Sequence, residues 1–227
     1  MRDSFYMKTI IPIGICAGLA SALLFSSLST GTVLSLILFY IVPLPLFIAG
    51  LGWGHKATAI GGIFGVLIIL LMAPVQLAFL FLGAIALPAT VLTYFALLSR
   101  QSEGTSGTDV EWYPLGRLVV VSSLFATGFV ALALGMMGGN LDQMYKNISD
   151  LIGPMLSNNA SYGELKKIDP ARAESFLQFF VRFAPAGAAA MWLLTTLMNM
   201  FVAQKILTAS KKAVRTEVDI AGMAYPQ

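Results

Sequence analysis

The stretch that decides the fold is residues 9–54, which read TIIPIGICAGLASALLFSSLSTGTVLSLILFYIVPLPLFIAGLGWG and contain no Asp, Glu, Lys, Arg or His. Residues 57–99 are equally free of charge, and two shorter uncharged runs follow at residues 118–141 and 183–204. A helix needs about 20 apolar residues to cross the ~30 Å hydrocarbon core of a bilayer. These runs therefore predict an all-α protein, a polytopic transmembrane helix bundle.

Composition supports the same class. The 227 residues are 57% hydrophobic and 11% charged, whereas soluble domains average about 45–50% apolar and about 25% charged residues. No polar stretch is long enough to build its own core, so we predict a single transmembrane domain over residues 1–227. The net charge is +3. Its basic residues flank apolar runs, which indicates topology signals rather than a nucleic-acid surface. The predicted partner is the lipid bilayer.

Turn residues divide the apolar runs into spans. The Ser/Thr/Gly cluster at 26–32 is the only turn signal in the first run, and Ala73-Pro74 splits the second. Six spans result, at residues 9–28, 32–51, 57–73, 75–98, 115–137 and 183–207. Pro43, Pro45 and Pro88 interrupt spans two and four. Such breaks occur in ordinary membrane helices, and in transporters they can line binding sites.

The distribution of Lys and Arg predicts the orientation. One side collects nine basic residues: Arg2, Lys8, Lys56, Arg100, Arg117, Lys205, Lys211, Lys212 and Arg215. The other side collects five, all in or just past one long loop: Lys146, Lys166, Lys167, Arg172 and Arg182. Short loops count most in the positive-inside rule. We therefore expect both termini, including the tail at 208–227, to be cytoplasmic.

Small residues recur at four-residue spacing in several spans, as with Gly14, Gly18 and Ala22 in span one and Gly61 and Gly65 in span three. Such faces let helix backbones approach closely in lipid. One interpretation is packing inside the bundle. The other is that the face of span one docks another membrane subunit.

The external loop at 139–175 contains an amphipathic pattern from Leu141 to Leu156. Asn140 is a suitable N-cap with Gln143 as its capping-box partner, and Gly153-Pro154 should end or bend the helix. This helix would lie in the outer interface or fold over the bundle as a lid. A second start signal, Asp169-Pro170, should open a helix that continues into span six.

The groups that enzymes and metal sites use are scarce. The chain has one histidine, one cysteine and no carboxylate inside a span. It also has no nucleotide-binding lysine loop, G-x-S-x-G elbow or H-E-x-x-H motif. We therefore expect no enzymatic activity, no metal and no cofactor. The cysteine, Cys16, is expected to be a small packing residue inside span one.

Four polar side chains in or beside the spans are the candidate binding residues. Arg182 lies near the outer end of span six, one turn after Gln178. It is either an arginine that snorkels to the headgroups or the charge partner of an anionic ligand. Gln76, at the external turn between spans three and four, could share a pocket mouth with Arg182. Asn199 lies deeper, where an amide cross-links helices or contacts a ligand.

Three motifs carry a family resemblance: residues 43–47 (PLPLF), 50–54 (GLGWG) and 112–117 (WYPLGR). Together with the Phe183-Ala184-Pro185 entry to span six and Asn199, they resemble the YybS-like family of predicted bacterial multi-pass membrane proteins, a domain of unknown function. The resemblance implies a bacterial inner-membrane location. It also implies a remote similarity to the S components of energy-coupling-factor transporters, which bind vitamins and dock a membrane partner through span one. Gly14, Gly18 and Ala22 would play that docking part here.

Two functions remain open at this point. The first is a transporter-type, solute-binding subunit that borrows ATPase and coupling subunits, because this chain has no nucleotide-binding loop. The second is a membrane assembly or scaffold protein that recruits partners or anionic lipid through its small-residue faces and its basic tail. In that tail, Lys211, Lys212 and Arg215 could each contribute about 1 kcal/mol of lipid attraction.

Overall fold

The computed structural model describes residues 2–30, 32–102, 109–137, 141–157 and 160–215. Helices account for nearly all of them, which confirms the all-α membrane fold. The helices are α1 (Arg2–Ser26), α2 (Val33–Tyr40), α3 (Leu44–Trp53), α4 (His55–Met72), α5 (Val75–Phe81), α6 (Leu87–Ala96), α7 (Leu115–Met137), α8 (Leu141–Ser157), α9 (Ala160–Ile168) and α10 (Pro170–Ala209). A 3₁₀-helix at Ser27–Thr30 and a π-helix at Leu82–Ala86 complete the helical elements.

Four described helical segments are long and apolar enough to cross a membrane: Met7–Ser26, His55–Met72, Val75–Ala96 and Pro170–Ala209. Two shorter apolar helical segments, Ile37–Trp53 and Leu115–Ala131, lie at the predicted spans two and five. Large apolar side chains stand on the outside of these helices. Leu71 is 88% exposed, and Phe79 and Leu124 are each 68% exposed. Lipid, rather than water, is the solvent that such surfaces require.

The chain divides into two compact units. The first comprises Met1–Phe125 and Leu194–Gln227, and the second comprises Ala126–Leu193. The apolar core of the first unit includes Leu46, Phe47, Phe81 and Leu92, all fully buried. In the second unit, the Tyr162 hydroxyl on α9 donates a hydrogen bond of 3.3 Å to the Ala173 carbonyl on α10.

Helices α1 and α4 make the most extensive helix contact among the described elements of the first unit. A Cβ atom at Gly14 would lie 2.7 Å from the Ala57 carbonyl oxygen, and one at Gly18 would overlap the Gly61 carbonyl. Across the same contact, a Cβ at Gly65 would lie 3.2 Å from the Gly18 carbonyl oxygen. The small-residue faces predicted on spans one and three therefore pack against each other. Cys16 points away from this contact and is exposed, so the expectation that it is a packing residue was wrong.

Span two is broken, as its prolines predicted. Pro43 and Pro45 have no N–H, so the carbonyls of Phe39 and Ile41 lose their α-helical donors. Those carbonyls accept instead from the N–H groups of Val42 (3.2 Å) and Leu44 (3.0 Å). The break separates α2 from α3. The two carbonyls stay hydrogen-bonded because each accepts from the residue three positions later instead of four.

Span four is also interrupted, by a π-helix instead of a gap. The N–H of Leu87 reaches back five residues to the Leu82 carbonyl, immediately before Pro88, which has no N–H to donate. Thr93, one turn later in α6, is fully buried, and its hydroxyl donates to the Ala89 carbonyl at 2.8 Å. Its oxygen lies 3.4 Å from that of Thr58 on α4, which links these two helices.

A β-hairpin joins α6 to α7, which the sequence patterns did not predict. Strands β1 (Ser99–Ser102) and β2 (Asp109–Trp112) pair antiparallel, with Ser99 opposite Trp112. The Tyr113 N–H extends the ladder by donating to the Leu98 carbonyl at 2.9 Å. The strands are only four residues long and mostly polar, so they lack the apolar alternation by which strands are recognised.

Candidate functional site

Helix α8 is the amphipathic helix that the sequence predicts in the second unit. Ile148 is 6% exposed, whereas Gln143, Lys146 and Asp150 are exposed on the opposite face. The helix does not stop at Gly153-Pro154 but continues to Ser157. Pro154 has no N–H to donate to the Asp150 carbonyl, and three residues of the helix follow it. The proposed N-cap, Asn140, lies outside the described residues.

Helix α10 begins where the Asp169-Pro170 signal predicts. The Asp169 carboxylate accepts a hydrogen bond of 3.0 Å from the Arg172 N–H and caps the first turn. From Pro170 the helix continues to Ala209, through Pro185 and the whole of predicted span six. This continuity places Gln178 and Arg182 on a regular helix rather than in a loop.

A cleft of about 580 Å³ lies between α8 and the first half of α10, entirely within the second unit. Its volume is within the range of about 300–1,000 Å³ that small-molecule pockets occupy. Helix α8 contributes Tyr145, Lys146 and Ser149, and α10 contributes polar side chains at Glu174, Ser175, Gln178 and Arg182. Two of the four predicted binding residues, Gln178 and Arg182, therefore line one concave site.

The charges in the cleft are two cations, Lys146 and Arg182, and one carboxylate, Glu174. The Gln178 side-chain amide donates to the Glu174 carboxylate at 3.4 Å. Neither cation has a carboxylate partner among the residues that the structure describes. The cleft therefore has a surplus of one positive charge beside a carboxylate, which suits an anion that also carries a hydrogen-bond donor.

An apolar wall completes the cleft, and the sequence reasoning missed it. Phe179 and Phe183 both line the cleft, and their ring centroids lie 4.6 Å apart. They are four residues apart on α10, a spacing that brings side chains together on one helix face. That spacing was visible in the sequence, but exposed phenylalanines beside a predicted span are equally typical of a membrane interface.

The other two predicted binding residues are elsewhere. Gln76 is exposed at the start of α5 in the first unit and does not line the cleft. The pairing of Gln76 with Arg182 at one pocket mouth stays a prediction. Asn199 is 5% exposed, and its amide nitrogen donates to the carbonyls of Tyr40 and Thr195, at 2.7 Å each.

The Asn199 bond explains why an amide is needed at that depth. In an unbroken helix the Tyr40 carbonyl would accept from the Leu44 N–H, but that N–H is diverted to Ile41. Asn199 supplies the missing donor from α10. On the other side of the same break, the Ser21 hydroxyl donates to the Val42 carbonyl at 2.8 Å. This arrangement is a helix cross-link, with the broken backbone satisfied inside the protein.

The face proposed for docking another subunit is occupied within the chain, which corrects that interpretation. Gly14 and Gly18 lie against the backbone of α4, and Ala22 is fully buried. Close backbone contact leaves no room for a second helix on the same face. Among the described residues, moreover, no group of three or more His, Cys, Asp or Glu side chains is placed to hold a metal ion.

Comparison with known proteins gives one match. A family model described as a predicted membrane protein, DUF2232, matches residues 18–227. No curated protein and no solved structure matches the chain. The matched region includes α2 to α10 and the last nine residues of α1, so it contains the cleft, the broken span two and both prolines of that break.

Proposed function

We propose that this chain, which belongs to the DUF2232 family of predicted membrane proteins as its motifs indicated, binds a small anionic solute. It would do so as a non-enzymatic, transporter-type membrane subunit. The cleft between α8 and α10 is the observation that carries this proposal. Two cations converge there with a hydrogen-bonded glutamate and a phenylalanine wall.

The ligand class follows from the lining. Arg182 offers a planar fork of donors suited to a carboxylate or phosphate, and Lys146 adds a second positive charge from α8. Glu174 would accept from an amine or hydroxyl on the ligand, and Phe183 would cover an apolar part. We therefore propose a compact organic acid that has both a polar and an apolar side.

The amphipathic helix gives this binding a means of control. Helix α8 contributes Lys146 to the cleft from its polar face, so a ligand held by Arg182 would also hold α8 in place. The remote resemblance to energy-coupling-factor S components would supply the rest of the mechanism, with ATPase and coupling subunits providing energy. The coupling subunits would dock on a face other than the one of span one that packs against α4, and the partners of the scaffold alternative would do the same.

Arg182 provides the direct test. Arg182→Ala should abolish retention of co-purifying small molecules, measured by mass spectrometry of extracts from detergent-purified protein, with little change in thermal stability. Arg182→Lys should retain little ligand if a bidentate site is present, because lysine lacks the planar fork. Arg172→Ala is the matched control, since Arg172 is an exposed arginine on the same helix outside the cleft. Equal retention in wild type and Arg182→Ala would overturn the site.

The orientation of the proposed bacterial inner-membrane protein is tested separately. Cysteines at Ser106 and Ser161, on a Cys16→Ala background, should react from opposite sides of the membrane. The background is needed because Cys16 is exposed. In intact cells an impermeant reagent should label Ser161→Cys and leave Ser106→Cys protected. Labelling of both positions from outside would contradict cytoplasmic termini and the six-span topology.

A further inference from the structure

A second cavity, of about 350 Å³, lies within the first unit and shares no lining residue with the cleft. Its lining on α10 extends from Leu194 to Thr208, fourteen residues or about 21 Å of helix at 1.5 Å per residue. The walls along most of that length are apolar, for example Leu118 and Leu197. The cavity is thus long enough to hold an extended hydrocarbon chain across one leaflet, whose apolar depth is half of the ~30 Å hydrocarbon core.

The polar lining is confined to one end of the cavity, next to the end of α10. Gln204, Lys205 and Thr208 lie in the last two turns of that helix, and Arg215 follows it. The polar end of the cavity therefore carries two basic side chains, Lys205 and Arg215.

Arg215 is held at that end by its own chain. Its guanidinium donates to the carbonyls of Ala96 (3.3 Å) and Tyr113 (3.1 Å) and lies 5.9 Å from the centroid of the Trp112 ring. The two bonds use two of its five N–H donors. No carboxylate pairs with it among the described residues, and burial lowers the pKa of Arg215 from its usual value by desolvating the charged form. A guanidinium remains charged nonetheless, so an anion here would meet a positioned, partly desolvated cation.

We propose that this cavity is a binding site for an anionic phospholipid, with one acyl chain along α10 and the phosphate at the polar end, beside Arg215. The apolar length fits a chain, and the polar end carries a cation with N–H donors left for the phosphate oxygens. A zwitterionic lipid would bring its own ammonium group to a site that already contains Lys205 and Arg215. The charge pattern therefore selects a net negative headgroup.

The test uses delipidated, detergent-purified full-length protein titrated with phosphatidylglycerol, with phosphatidylcholine of the same acyl chains, and with oleate. Bound lipid is counted by native mass spectrometry, and the lipid-induced shift in melting temperature is measured for each variant against its own lipid-free state. Wild type should bind phosphatidylglycerol about tenfold more tightly than phosphatidylcholine, because both lipids offer a phosphate but only phosphatidylcholine brings an ammonium group towards Lys205 and Arg215. Equal binding of the two phospholipids, or of oleate and phosphatidylglycerol, would overturn the proposal.

Two matched pairs of variants locate the site. Arg215→Gln should remove the preference for phosphatidylglycerol, whereas Arg117→Gln should keep it, because Arg117 is exposed and does not line the cavity. Met198→Trp should block the apolar part and lower binding of both phospholipids, whereas Leu124→Trp, at a lipid-facing position outside the cavity, should not. Unchanged preference in Arg215→Gln, or unchanged binding in Met198→Trp, would contradict the assigned positions.

Discussion

The contact between α1 and α4 and the cleft between α8 and α10 differ in how closely two helices lie. In the first, glycines let the backbones approach until the Gly18 position touches the Gly61 carbonyl. In the second, Lys146, Glu174 and Arg182 line an open volume between the helices. Association in lipid depends on close backbone packing, because apolar side chains gain little by leaving a hydrocarbon solvent. The comparison thus separates a contact that holds the bundle together from one that is available for a ligand.

The largest effect should come from filling the α1–α4 contact. Gly18→Leu would place a side chain where the Gly61 backbone already lies, and a backbone carbonyl cannot turn aside as a side chain can. Overpacking usually costs about 1–3 kcal/mol of unfolding free energy and occasionally more, and we expect a value at or above the upper end. Accumulation in membranes and the detergent melting temperature measure it.

Gly128→Leu is the control for that substitution. Gly128 lies on α7 with no neighbouring atom within 4 Å of an added Cβ, so leucine should be tolerated and should improve helix propensity. A melting temperature for Gly18→Leu equal to that of Gly128→Leu would show that α1 and α4 are not in backbone contact.

A smaller effect should come from the cross-link at the break in span two. Asn199→Ala removes the donor to the Tyr40 carbonyl and should lower the free energy of unfolding by about 0.6–2 kcal/mol. Ligand retention in the α8–α10 cleft should not change, because Asn199 does not line it. Val202→Ala, at an exposed position three residues further along α10 and outside both cavities, controls for truncation of the helix surface. Altered ligand specificity in Asn199→Ala would contradict a purely structural role.

The smallest effect should be a gain in stability at the end of α10. The N–H groups of Lys211 and Lys212 donate to the carbonyls of Thr208 (3.1 Å) and Leu207 (2.9 Å), the pattern of a Schellman cap. Lys211 adopts φ 55° to make it, a conformation that costs an L-residue roughly 1–2 kcal/mol and glycine almost nothing. Lys211→Gly should raise the melting temperature slightly. Lys212→Gly, at the next position, should not, and a lower melting temperature for Lys211→Gly would contradict this cap.

The helix positions were largely predictable because they depend on local chemistry. A long uncharged segment defines a membrane helix. The missing N–H groups of Pro43 and Pro45 interrupt such a helix whatever packs around it. The start of α10 at Asp169-Pro170 has the same local origin. The hairpin at Ser99–Ser102 and Asp109–Trp112 was missed because four polar residues carry no periodic signal. The sequence left open whether Gly153-Pro154 ends α8 or bends it, and the structure shows that the helix continues to Ser157.

The candidate site was predictable only in part. The sequence singled out Arg182 and Gln178 because an arginine beside a span is costly. It could not supply the partners Lys146 and Glu174, since ordinary charged residues in a loop have many possible neighbours. Asn199 was also noticed from the sequence, but its hydrogen-bond partner could not be predicted. That partner is the Tyr40 carbonyl, 159 residues away in the chain.

The sequence by itself therefore determined that this protein is a helical membrane protein, which segments are apolar, and where helices must break. Uncharged segments and missing N–H groups act on the chain locally, so their effects can be predicted without knowing the fold. The tertiary structure alone decided that Gly14 and Gly18 face α4 instead of another subunit, that the freed Tyr40 carbonyl meets Asn199, and that Arg182 shares a cleft with Lys146. Each of these depends on which helix faces lie opposite each other, and that choice is made by close packing between segments far apart in the chain.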